Sequence, residues 1–276
     1  MFKGELFSFN EKRCDEFELT LYHINKVESN NFTLASPQKI QEHRLNRSHL
    51  GYYLGSTQNE PMIIEMTFGV DNERLDAGNY LKRDEINRIL TWLTGDKGYK
   101  KLIIIDEDLS DYYYKCFVEK IEIIGNDDTP YGFNCVFKCD SPFAYLNTQI
   151  YTKQFETSGA SLLNKYGTIE ILSQSSHINE YKPIIEIEFT DLSRDVEIIN
   201  TSINEDEAFI FKDVPMSVEK ITIDNQLGLI RNNADLNIYP YFNFKFLKLK
   251  RGKNILKIKG NCKITLICDY PVNIGA

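Results

Sequence analysis

A chain of 276 residues with 42% hydrophobic and 12% aromatic content has enough apolar side chains for two modest domains or one large β domain, and long disordered stretches are excluded. Its net charge of −8 argues against a sequence-specific nucleic-acid binder. The nearest thing to a basic block, KLKRGK at 248–253, reads as a solvated turn.

The first residues, MFKGELFSFNEKR, lack the apolar run of a signal peptide, and no window approaches a membrane span. The expectation is a soluble product of the cytoplasm. Sixteen Tyr, seventeen Phe and many Ile against a single Trp favour strands.

The chain begins with a strand region. A long polar stretch follows, SPQKIQEHRLNRSHLGYYLGSTQNE (36–60), which reads either as an arm or as an ordinary hairpin. PMIIEMTFGV (61–70) alternates, with Met62, Ile64, Met66, Phe68 and Val70 on one face and Glu65 and Thr67 on the other. A helix is expected next, because Ile86, Ile89, Leu90 and Leu93 form one stripe of a 3.6-residue period. Asp84 and Glu85 suit its first turn and Gly95 its end, while Trp92 falls at the edge of the stripe, under a neighbouring loop. YGFNCVFKCD (131–140) alternates again, placing Tyr131, Phe133, Cys135, Phe137 and Cys139 together. Cys135 and Cys139 stand roughly 13 Å apart on a strand rising about 3.3 Å per residue. A disulfide between them is therefore out of reach. With no C-x-x-C pair, the six cysteines read as core thiols.

Residues 147–182 turn rich in Ser, Thr, Asn and Gly, which places a domain boundary near 146–150. Beyond it, IIEIEF (184–189), EAFIFK (207–212), VEKITID (218–224), YFNFKFLKL (241–249), NILKIKG (254–260) and KITLIC (263–268) read as short strands of a sandwich.

YKKLIIIDED (99–108) poses the sharpest functional question, because a buried strand running into Asp106, Glu107 and Asp108 resembles the metal-binding strand of a nucleotide hydrolase. A phosphate cradle would need G-x-x-x-x-G-K-[ST]. The Gly252-Lys253 pair has no glycine five residues earlier, and no two glycines stand two apart, so G-x-G-x-x-G is absent too. The three acids then read as the solvated end of a strand. His23, His43, His49 and His177 include no H-E-x-x-H, and no G-x-S-x-G elbow exists. No catalytic residue, cofactor or metal site is expected. A glycan-binding site would favour a Trp platform, and the second half contains none.

The ordered set of segments resembles the distal tail protein (Dit) family of long, non-contractile phage tails. The segments that carry the likeness are RDEINRILTWLTGDKGYKKLIIIDED, YYYKCFVEKIEI, CDSPFAY, ITIDNQLGLI and YFNFKFLKLKRGKNILKIKGNCKITLICDYP. The resemblance implies a mainly β fold, with a ring-forming, β-sandwich-like domain bearing one α-helix at 1–148 and a galectin-like sandwich at 149–276. It also implies a structural virion protein and no enzyme. Such a protein forms a hexameric ring at the tail tip, joins the tail tube protein to a tail-tip lysin or fibre and to receptor-binding proteins, and lets DNA pass without specific binding. No membrane is involved. Leu45, Tyr52 and Tyr53 become candidates for contact between subunits. Some members carry inserted carbohydrate-binding modules, and no insertion of that size is visible. A carbohydrate-binding adhesion module is the alternative reading.

Overall fold

A computed structural model of the chain describes residues 6–24, 39–44, 51–57, 61–106, 109–126, 129–156, 166–176, 180–203 and 207–273; for 39–44 and 51–57 it describes the backbone alone. The chain divides into two compact units, the first running to Tyr145 and including residues 273–276, the second covering Leu146–Val272.

The first unit opens with β1 (Leu6–Phe9) and β2 (Lys12–Arg13), joined through Asn10 and Glu11, both at positive φ. A 3-10 turn at Cys14–Phe17 leads to β3 (Thr20–Ile24). The hairpin β4 (Lys39–Arg44) and β5 (Gly51–Thr57) forms a two-stranded sheet of its own. Then follow β6 (Ile63–Gly69), α1 (Asn72–Asp76), α2 (Arg83–Thr94), β7 (Lys100–Ile105), β8 (Tyr112–Asn126) and β9 (Thr129–Cys139), with β10 (Ala144–Leu146) closing the series. The main sheet runs β2-β1-β7-β8-β9-β6-β3, antiparallel at every step.

The alternation read from 61–70 and 131–140 is the pattern the sheet uses. Ile64, Met66, Phe68 and Val70 are buried beside Phe133, Cys135, Phe137 and Cys139, while Ile63 faces outward. Period-2 patterning of this kind arises where one face of a sheet meets a core and the other meets water. Where β6 and β9 cross, Gly69 stands opposite Gly132. A Cβ on Gly69 would lie 2.3 Å from the Tyr131 carbonyl oxygen, so only glycine lets the two backbones come this close.

Helix α2 forms over the expected residues. Its face is rotated from the expected stripe: Ile89, Trp92 and Leu93 are buried, whereas Ile86 and Leu90 are half-buried. Trp92 is therefore a centre of the core and not its edge. Its ring stacks on Phe17 at 4.5 Å and lies 5.8 Å from Phe7, and its Nε1–H donates to the Phe9 carbonyl at 2.8 Å. The large flat indole fills the space over β1 because these phenylalanines present rings to it. At the start of α2, the Glu85 carboxylate accepts from the Lys82 N–H and from Arg74 Nη2, whose other amine reaches Glu18. Burial raises the Glu85 pKa, but these donors outweigh it and hold the carboxyl below its usual range. Helix α1 is an addition to the single helix expected. Five residues are too short for a periodic signal, and only the Asp71 side chain, accepting from the Arg74 N–H at 2.7 Å, marks its start.

The second unit contains β11 (Gln149–Phe155), β12 (Gly167–Ser173), β13 (Ile184–Phe189), β14 (Val196–Asn200), β15 (Phe209–Phe211), β16 (Lys220–Asp224), β17 (Leu229–Asn232), β18 (Gly252–Lys259), β19 (Cys262–Cys268) and β20 (Pro271–Val272). Five strands in the order β11-β19-β13-β16-β17 and four in the order β12-β18-β14-β15 share one core. Ile185, Ile221, Ile264 and Leu266 of the first sheet and Ile171, Ile198, Phe209 and Leu256 of the second all belong to it. This is a β-sandwich. Strands β18 and β19 are joined by Gly260 and Asn261 and occupy interior places in opposite sheets. Gly260 (φ 140°) approaches the Asp195 carbonyl so closely that a Cβ would lie 2.6 Å from it.

This unit adds strands to one stretch and corrects the reading of another. The polar stretch 147–182 holds β11 and β12, whose outward residues Thr152, Lys153, Gln154, Thr168 and Glu170 carry the polar character while Phe155, Ile169 and Ile171 go inward. YFNFKFLKL is not a strand. Tyr239–Tyr241 is a 3-10 turn, Phe242 makes an isolated bridge to Phe211, Phe244 adopts φ 60°, and the segment then runs irregularly to a second bridge between Leu249 and Tyr181. Between these two bridges its backbone is held by side chains instead of a ladder. The Leu247 N–H donates to Asn225 Oδ1, the Lys248 carbonyl accepts from Asn200 Nδ2, and Asn254 bonds both the N–H and the carbonyl of Lys250. Asn200, Asn225 and Asn254 are all buried. Buried backbone groups need partners, and three asparagines supply them.

Candidate assembly surfaces

Strand β7 answers the question raised by YKKLIIIDED. It lies between β1 and β8, antiparallel to both, with Leu102 and Ile104 buried. Nucleotide-binding α/β sheets place ligands at the carboxyl ends of parallel strands. Nothing of that arrangement is present around β7. The Asp106 carbonyl accepts from the N–H groups of Leu109 and Ser110; Glu107 and Asp108 lie outside the described residues. Among the described residues no three His, Cys, Asp or Glu side chains are placed to hold a metal ion. His23 is exposed on β3.

Tyr52 and Tyr53 fall on β5, where their backbones pair with His43 and Glu42 of β4. Their side chains, and Leu45 altogether, lie outside the described residues.

A second surface comes from β8. Its pairing with β7 ends at Lys100 opposite Cys116, whereas its pairing with β9 continues to Asn126 opposite Thr129. The outer half of β8, Lys120–Asn126, thus extends past β7. Lys120, Glu122, Ile123, Gly125 and Asn126 are exposed there, Ile123 at 53%. The Lys120–Glu122 ion pair (2.6 Å) sits on this ribbon. An extended strand edge of this kind is a ready template for another strand. Sequence reading missed it, because IEIIG reads as an ordinary strand and the edge depends on where β7 stops.

The end of the first unit is built from the residues that follow β9. The Asp140 N–H donates to the Lys115 carbonyl at 2.8 Å, and the Met62 N–H to the Ser141 carbonyl at 3.1 Å. The Tyr145 hydroxyl donates to Asp140 Oδ2 at 2.9 Å, its ring stacks on Tyr113 at 5.5 Å, and Lys115 Nζ lies 4.5 Å from its centroid. Burial raises the Asp140 pKa above the usual carboxylate range, against the opposing effects of Tyr145, Lys115 and Ser141. A carboxyl whose folded pKa is raised contributes stability that is fully present below its unfolded pKa and lost as pH rises through the folded value. Asp140→Asn keeps an acceptor for Tyr145 and removes the charge. It is expected to melt above the parent chain at neutral pH, with the difference closing in acid. Thermal melting of both proteins across pH tests this, and a difference independent of pH would refute it.

Comparison with known proteins bears on the whole chain. Residues 2–141 match a family model described as a phage tail protein N-terminal domain, and residues 143–268 match one described as a phage tail C-terminal domain. No curated protein sequence matches. Among solved structures, the fold is similar to that of SPP1 Dit (gp 19.1), described as a paradigm of the hub adsorption apparatus in phages infecting Gram-positive bacteria. The TM-score is 0.65 at 10% identity, over 96% of this chain and 98% of that one. It is also similar to a chain of the phage P2 baseplate in its activated conformation with Ca, with a TM-score of 0.54 at 12% identity over 96% and 99% of the two chains.

Proposed function

We propose, from the premise that this chain belongs to the family of phage tail proteins, that it is the structural hub at the distal end of a long, non-contractile tail. In this reading a hexameric ring joins the tail tube protein to the tail-tip lysin or fibre and leaves a passage for DNA. The observation that carries it is the end-to-end likeness of fold to a chain described as a hub protein. Residues 1–148 would form the ring, and the sandwich at 149–276 would carry the peripheral partners, receptor-binding proteins among them. The work is structural and needs no catalytic group.

Two physical features support the reading. The outer half of β8 offers a strand edge and an exposed isoleucine to a neighbouring copy, and contacts of one patch with a different patch close into a ring when the rotation allows. The net charge of −8 suits a conduit, since like charge lets a polyanion slide without sticking.

Native mass spectrometry and electron microscopy of the full chain test the proposal. The expected result is a closed hexamer with an open lumen, and Ile123→Lys is expected to leave folded monomers with an unchanged circular-dichroism spectrum. A chain that stays monomeric at high concentration, and that antibody labelling fails to find at the tail tip, would overturn the hub assignment. A ring that survives Ile123→Lys would overturn only the role of the β8 edge.

A further inference from the structure

Cys116 of β8 and Cys139 of β9 are direct cross-strand partners in the central pair of the first sheet. The hydrogen bonds around them fix the kind of pair they form. The Asp140 N–H donates to the Lys115 carbonyl, so Lys115 and Asp140, the next residues along, are a hydrogen-bonded pair. The Cys139 N–H points the other way, to the Met62 carbonyl across the sheet. In an antiparallel ladder the two kinds of pair alternate, so Cys116 and Cys139 occupy a non-hydrogen-bonded site. There the Cα atoms approach to about 4.5 Å, within the range of about 4.4–6.8 Å that a disulfide spans. Directly opposed residues share a face, and both side chains are completely buried.

We infer that Cys116 and Cys139 are a latent cross-strand disulfide, held reduced inside the cell and closed by a peroxide-class oxidant once the particle is outside. The timing rests on membership of a tail family, since a tail is assembled in a reducing cytoplasm and then released; the chemistry does not depend on the hub reading. Cys135 cannot compete along the strand for Cys139, four residues away in an extended backbone. Burial pushes both thiols up, Cys139 to about 12, and a charge on Cys139 would raise Cys116 further. Little thiolate is therefore present at neutral pH and oxidation by a small peroxide is slow, which lets the thiols persist through assembly.

The reaction balances with hydrogen peroxide. One thiolate attacks a peroxide oxygen, forming an S–O bond and breaking the O–O bond, and hydroxide leaves. The second thiolate attacks the sulfenic sulfur, forming the S–S bond and breaking S–O, and a second hydroxide leaves. The two thiol protons convert both hydroxides to water, and the two sulfurs supply the two electrons that the peroxide takes up.

The test uses the folded full chain, treated with hydrogen peroxide, quenched with catalase, then denatured and alkylated with N-ethylmaleimide. The expected result is that two of the six thiols no longer take up the reagent and that a peptide map joins Cys116 to Cys139. Cys135→Ala is expected to form the same link. The map of the parent chain decides the matter even where a variant folds poorly. Six labelled thiols, a link through another cysteine, or sulfinic acid at Cys116 or Cys139 in place of a bond would each overturn the inference.

Discussion

Asn254→Leu is expected to lower the stability of the second unit by about 3–5 kcal/mol, one of the largest single losses available in this chain. Asn254 has no exposed surface, and all its hydrogen-bonding capacity is engaged. Its Nδ2 donates to the carbonyls of Lys250 (2.8 Å) and Gly252 (2.9 Å), and its Oδ1 accepts from Asn200 Nδ2 (3.0 Å) and the Lys250 N–H (2.9 Å). Leucine is close in size but removes all four bonds, stranding the backbone groups of Lys250 and Gly252 and leaving Asn200 Nδ2 only its bond to the Lys248 carbonyl. Each stranded buried group costs about 1–3 kcal/mol, reduced where the loop relaxes toward water. Asn254→Asp is expected to be nearly as damaging, because a carboxylate oxygen would face two carbonyl oxygens where an amine now donates. Urea unfolding followed by far-UV circular dichroism measures both, and a loss below about 1 kcal/mol for the leucine variant would show that 242–252 is held by something other than the asparagines.

Trp92→Ala is expected to cost the first unit about 3–5 kcal/mol, the range for deleting a buried aromatic side chain. The indole is 6% exposed and meets Phe7, Phe9 and Phe17, so its removal leaves a cavity bordered by rings that β1 and the 3-10 turn hold in place. Trp92→Phe separates the two contributions. It keeps most of the stacking and loses the bond to the Phe9 carbonyl, and about 1–2 kcal/mol is expected. Because Trp92 is the single tryptophan, unfolding of the parent chain can be followed by its fluorescence and of the variants by circular dichroism. Equal losses for alanine and phenylalanine would assign the effect to the hydrogen bond alone.

Much of this fold is legible from residue order. Alternation identified the core faces of β6 and β9, because each meets a core on one side and solvent on the other, and it placed strands at β18 and β19. The same rule misassigned YFNFKFLKL, whose alternation is as clear but whose backbone at Leu247 and Lys248 is satisfied by Asn225 and Asn200, 22 and 48 residues away. No local window contains those partners. Strands β11 and β12 were hidden for the opposite reason, since their outward residues are polar enough to look like a linker. The elimination of phosphate-binding motifs left the acids after β7 as the end of a strand; β7 does end at Ile105, next to Asp106, while Glu107 and Asp108 lie outside the described residues. The outer half of β8, which no other described strand pairs beyond β7, was not legible, because it depends on where a neighbouring strand ends.

The hairpin that joins the two sheets sets a timetable for synthesis. Strands β18 and β19 fill interior positions in both layers of the sandwich, so the ladders on either side of them lack a partner until residues 252–268 have been made. A nascent chain emerging from the ribosome would carry β11–β17 as two incomplete half-layers with open edges and an uncovered apolar interior. Unpaired edges and uncovered apolar surface of that kind favour aggregation, and any lesion that stops translation shortly before Gly252 removes the keystone of both layers at once.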